Sequence, residues 1–124
     1  MNLRGLALHA KGLLPPRDRA KSDRLGDFVT ASLPLRLDDL HAGFLLDWED
    51  GDTQGLLTLD IISPEGGAIA NIHELLDAPS AQRITVHSYQ MPPLVIHTAG
   101  WHTLRAIIGS AGMSRRFQVH LDDV

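Results

Sequence analysis

The sequence predicts an all-β fold: one antiparallel β-sandwich of about seven to eight strands, with at most one short helix near residues 71–78. Three observations carry that expectation. Apolar and polar residues alternate with period two along successive strand-length segments, the pattern of a strand with one face on a core. Clusters of Gly, Pro, Ser, Asp and Glu separate those segments where the chain must turn. The 124 residues, 44% of them apolar and 21% charged, fit a single domain spanning 1–124 that buries a core without a disulfide or a structural metal.

The first strand is expected near residues 3–9 and the second near 25–31. Between them, residues 11–24 hold five basic and two acidic side chains and the pair Pro15-Pro16. Adjacent prolines fit neither a helix interior nor a central strand, so this is a basic loop or arm carrying Arg17, Arg19, Lys21 and Arg24. Further on, Ala42, Phe44, Leu46 and Trp48 share one face, and Leu57, Leu59 and Ile61 share another. Ile84 and Val86 alternate with Arg83, Thr85 and His87. Leu104, Ala106 and Ile108 follow, then Phe117, Val119 and Leu121. These alternating apolar residues are the expected core, Ile84 and Val86 among them. Segment 71–76 is ambiguous: Asn71 and Glu74 have capping-box spacing, so a short helix and a bulged strand both fit.

Composition narrows the function classes. With no cysteine, Fe–S clusters, thiolate zinc sites and Cys nucleophiles are excluded. No apolar run reaches the ~18 residues of a membrane-spanning helix. Arg4, His9 and Lys11 interrupt the apolar start, which therefore fails as an export signal, and a cytoplasmic location is expected. Residues 1–37 carry a net charge of +4 and residues 38–124 a net charge of −8. The basic arm is suited to phosphates, but the acidic remainder repels them, and aromatic stacking platforms are few; nucleic acid is not the expected partner.

Seven histidines raise the alternative of a small metal-binding protein or metal-dependent enzyme. His97 and His102 flank the turn at Ala99-Gly100, and His87 or His120 is the candidate third ligand, with His87, His97 and His102 the favoured set. The spacing matches no metal signature, and a buried, hydrogen-bonded His102 explains the same pattern. The run Asp47, Glu49, Asp50, Asp52 lacks the EF-hand order of ligands and reads as an Asp-Gly hairpin turn. No nucleophile elbow or phosphate-binding loop occurs, and no cofactor is expected. Leu45, Leu56, Ile62, Trp101 and Ile107 fall on the polar register of their strands, and Tyr89 and Met91 share the face of His87. A partner interface is therefore expected at Tyr89, Trp101, Ile107 and Leu45, in a homodimer or against another protein. The leading expectation is a non-enzymatic protein-interaction or self-assembly module.

Leu25-Gly26-Asp27-Phe28, Leu33-Pro34-Leu35-Arg36 and Leu57-Thr58-Leu59-Asp60-Ile61 with Ser63-Pro64-Glu65-Gly66 form a further pattern. In it, residues 24–124 resemble a loosely defined family of small bacterial β-sandwich proteins of uncharacterised function. Gly26, Phe28, Leu33, Pro34, Pro64, Gly66, Gly100 and His102 fall at the family's turn and core positions. The arm is longer than the family's turn, and His102 stands where an aromatic is preferred. The resemblance implies a β-sandwich used for binding, adhesion or assembly, and it assigns no catalytic residue.

Overall fold

The computed structural model describes residues 1–10, 24–81 and 83–122. The chain is all-β, with ten strands and no helix among the described residues: β1 (Asn2–Ala10), β2 (Phe28–Thr30), β3 (Leu35–Leu37), β4 (Leu40–Asp47), β5 (Gln54–Ile62), β6 (Ala68–Asp77), β7 (Ile84–Gln90), β8 (Leu94–Ile96), β9 (Gly100–Ile108) and β10 (Ala111–Leu121). They form a three-stranded sheet ordered β1-β4-β7, a five-stranded sheet ordered β2-β10-β9-β5-β6, and the small pair β3-β8. One pairing, β2 on β10, is parallel. The architecture thus departs from a purely antiparallel arrangement, and the sheets curl into a half-barrel.

Alternation explains most of the core. Ala42, Phe44, Leu46 and Trp48 from β4 and its exit meet Leu57, Leu59, Ile61, Leu104, Ala106, Ile108, Phe117 and Val119 from the five-stranded sheet in one buried apolar cluster. β1 joins that cluster through a bulge. Gly5 adopts φ +64° where the register slips between Arg4 and Ala7, a conformation that glycine takes without strain. The slip changes the strand's parity, so that Leu3, Leu6 and Leu8 are all buried.

Segment 71–78 is resolved in favour of strand. Asn71 caps nothing; its side-chain amide donates to the Asp60 carboxylate on the neighbouring strand, and β6 pairs with β5 along its length, with a bulge opposite Ile61/Ile62. Three of the expected core positions are corrected. Leu121, near the end of β10, is 43% exposed, and on β7 Ile84 and Val86 are 50% and 78% exposed.

Along one side β1 lies against β10. On the opposite side the sheets end in β6 and β7, which do not pair with each other. The basic arm at Arg17, Arg19 and Lys21 lies outside the described residues.

Candidate interaction edge

β7 runs in the reverse sense to its apolar pattern. Its inward face carries Thr85, His87 and Tyr89, and its outward face carries Ile84, Val86, Ser88 and Gln90. Three polar residues tolerate the inner side because each finds a partner. Trp48 Nε1–H donates to Thr85 Oγ1 at 2.9 Å, and Thr85 Oγ1 lies 2.7 Å from His87 Nε2. The Thr85 hydroxyl thus bridges the indole and the imidazole, and burial favours the neutral form of the His87 ring. The His87 ring stacks on Phe44 at 5.2 Å, and Phe44 also stacks on Tyr89 at 6.2 Å. Glu74 of β6 acts electrostatically on Tyr89 across the open side; burial first, then that carboxylate, pushes the Tyr89 pKa up to about 12. Thr85 and His87 are thereby engaged with each other and with Trp48, and the Tyr89 ring extends the row by stacking on Phe44.

The phase of the β4–β7 ladder decides what the edge offers. Trp48 N–H donates to Arg83 C=O, and Met91 N–H to Leu40 C=O, both at 2.8 Å. In an antiparallel pair, alternate residues exchange bonds. Thr85, His87 and Tyr89 therefore bond to β4, whereas the N–H and C=O groups of Ile84, Val86, Ser88 and Gln90 point away from it. No strand among the described residues pairs with that edge.

The outward face beside it is apolar and thinly covered. Leu45 sits opposite Val86, and Arg4 is the next residue across. Gly5, Ala7 and Gly43 leave a shallow depression of about 310 Å³ bordered by Leu45, Val86 and Ser88. At the end of this face Arg4 and Arg83 close on Asp47 at 2.6 and 2.9 Å. The Arg83 and Arg4 guanidinium groups hold the Asp47 carboxyl below the usual carboxylate range. The adjoining acidic run closes as a turn, in which Glu49 N–H donates to Asp52 Oδ2 at 2.8 Å and Gly51 takes φ +91°.

The interface expected at Tyr89, Trp101, Ile107 and Leu45 does not form one patch. Leu45 lies on the outer face of the three-stranded sheet and Tyr89 on its inner face. Trp101 and Ile107 lie on the outer face of the five-stranded sheet. Trp101 is also covered: the Arg24 and Arg116 guanidinium groups lie 5.1 and 4.9 Å from its ring centroid. Arg24, the one described member of the basic set, is paired with Asp27 as well.

His87, His97 and His102 are likewise kept apart. His97 follows β8, which pairs with β3, whereas His102 lies on β9 in the five-stranded sheet, so the two do not flank one hairpin. Among the described residues no group of three or more His, Asp or Glu side chains is placed to hold a metal. His102 is 1% exposed, stacks on Phe117 at 5.3 Å, and has Nδ1 3.1 Å from Gly100 C=O, the contact of a neutral ring donating to the backbone.

Burial lowers the pKa of both His87 and His102; the Glu74 charge opposes the shift at the first, and the Gly100 hydrogen bond opposes it at the second. Below about pH 6.5 the unfolded chain takes up protons that these two folded sites resist. Their contribution to stability is therefore complete above that pH and falls as the pH drops toward the lowered folded values. Urea midpoints measured between about pH 7.5 and 5.5 should decrease, and His102→Gln should flatten the decrease. A midpoint constant over that window would contradict the neutral assignment.

The residues that sequence reasoning missed are Ile84 and Val86, read as core. The signal was present: Val86 has His87 and Thr85 beside it, and the inward side of β7 required those polar groups to have partners that only the fold provides. The chain is thus an all-β protein whose unusual strand is β7. No protein-family model and no curated protein matches the chain, so the resemblance drawn from turn and core motifs assigns no residue role. Among the described residues no helix is long and apolar enough to cross a membrane.

Proposed function

We propose that this chain is a non-enzymatic protein-interaction module that binds by strand addition along β7. The two larger sheets, joined through one apolar core, serve as its sandwich-like scaffold. The observation that carries the reading is the unguarded edge itself. From Ile84 to Gln90 the strand has no charge, no proline and no register shift, and it exposes Ile84 and Val86 beside outward-directed backbone groups. Natural proteins guard such edges with charges, bulges, short strands or cover. The other described edges are guarded: β1 by β10, β2, β3 and β8 by their three-residue length, and β6 by Glu74, Asp77 and its bulge. In strand addition, backbone hydrogen bonds supply affinity and alternate side chains supply selectivity.

A synthetic peptide with the sequence of residues 84–90 itself, which has no Asp, Glu, Lys or Arg, is a suitable probe. Dilute full-length protein should bind it saturably, with slowed amide exchange at Val86 and Ser88. Val86→Pro removes an N–H that faces away from β4, so the sheet keeps its own bonds while the edge loses one. That variant should bind at least about tenfold more weakly, the effect of losing roughly one hydrogen bond together with apolar contact. Absence of binding, or binding indifferent to Val86→Pro, would overturn the reading.

A further inference from the structure

We infer that the strand received by this edge is β7 of a second copy, paired antiparallel across a two-fold axis at Val86. This inference rests on the strand-addition reading and commits it to one occupant. Charge favours that occupant. An isologous pair sets each residue against one from its own sequence, so any charge on the strand risks meeting its like, which is destabilising in directly opposed positions. The stretch Ile84–Gln90 has no charged residue to repel.

Side-chain matching favours it too. With the axis there, Val86, the most exposed large apolar residue among the described residues at 78%, packs against its own symmetry mate. Ile84 then faces Ser88 of the other copy on the outward side, and Thr85 faces His87 on the inward side. Ladder phase is compatible: Ile84, Val86 and Ser88 are the residues whose backbone groups point outward, so the three pairs 84–88, 86–86 and 88–84 are the hydrogen-bonded kind. The result is a continuous six-stranded sheet that carries the Leu45–Val86 apolar strip across the axis.

The chain has no cysteine, so single substitutions report the geometry cleanly. Two Cα atoms opposed in a hydrogen-bonded pair lie about 5.5 Å apart, within the range a disulfide spans. Val86→Cys should therefore form a covalent dimer on mild oxidation. Ser88→Cys places its thiols four residues from register, about 13 Å apart, and should not. Light scattering after size exclusion should give twice the 13.6 kDa chain mass. Val86→Pro and Val86→Lys should each halve that mass while keeping the far-ultraviolet circular dichroism of the parent. A monomeric parent, a doubled mass that survives both substitutions, or crosslinking at 88 in place of 86 would each overturn the two-fold pairing. A monomer that still binds the β7 peptide separates the two proposals: strand addition then stands with a different partner. A monomer that does not bind it removes both.

Discussion

Phe117→Ala is expected to destabilise the fold by about 3–5 kcal/mol, the usual cost of truncating a large buried aromatic. Phe117 is fully buried, stands at the β9–β10 pairing opposite His102, and meets Phe28 edge-on at a centroid distance of 5.6 Å and an angle of 72°. Its ring therefore holds together three things: the five-stranded sheet, the short parallel strand β2, and the buried imidazole. Removal leaves a cavity bordered by Phe28 and His102, and the imidazole loses the stack that keeps it dry. Against a total stability of roughly 5–15 kcal/mol, such a loss is severe. Urea denaturation of the parent and variant checks it, and a loss below about 1.5 kcal/mol would mean that the surrounding strands collapse to fill the space. The same variant should weaken the pH dependence tied to His102, because water reaching the ring stabilises its charged form.

Arg105→Ala is expected to cost about 1–3 kcal/mol through a group it leaves behind. Asp60 lies on the outward side of β5 yet is 3% exposed, because Arg105 from β9 and Asn71 from β6 close over it. Arg105 Nη2 lies 2.7 Å from Asp60 Oδ2, and the Arg105 side chain itself is 45% exposed. Taking away the guanidinium strands a buried carboxylate, which is worse than having neither partner. The exposure of Arg105 limits the penalty, since water can enter the vacated space. Arg105→Ala combined with Asp60→Leu should therefore recover part of the loss, and a double-mutant cycle in urea measures that coupling. If the double variant is no more stable than Arg105→Ala alone, the stranded carboxylate is not the cause.

Period-two alternation and turn residues determined the class of this protein and the inward register of β4, β5, β9 and most of β10. In those strands the apolar residues have no alternative place to go, and hydrophobic burial decides the register. The acidic turn after β4 followed from its Asp-Gly chemistry, because turn geometry is local, but it closes no hairpin: β4 and β5 lie in different sheets, and the turn carries the chain from one to the other. The strand state of 71–78 required the tertiary structure: Asn71 and Glu74 have the spacing of a helix cap, but Asn71 bonds Asp60 of β5, and both residues lie on a strand paired along β5. Tertiary structure also decided which apolar residues share a face. Leu45 and Trp101 both break alternation, yet they lie on different sheets, a separation that sequence distance does not encode. β7 is where local pattern and global fold disagree. Its apolar residues predicted an inward Ile84 and Val86, but Trp48 bonds Thr85 and Phe44 stacks on His87 and Tyr89 on the inner side, which turns the strand over. Such conflicts concentrate at functional sites. A residue's hydrophobicity is fixed by its chemistry, whereas the face it occupies is fixed by which polar neighbours find partners, and those partners are long-range.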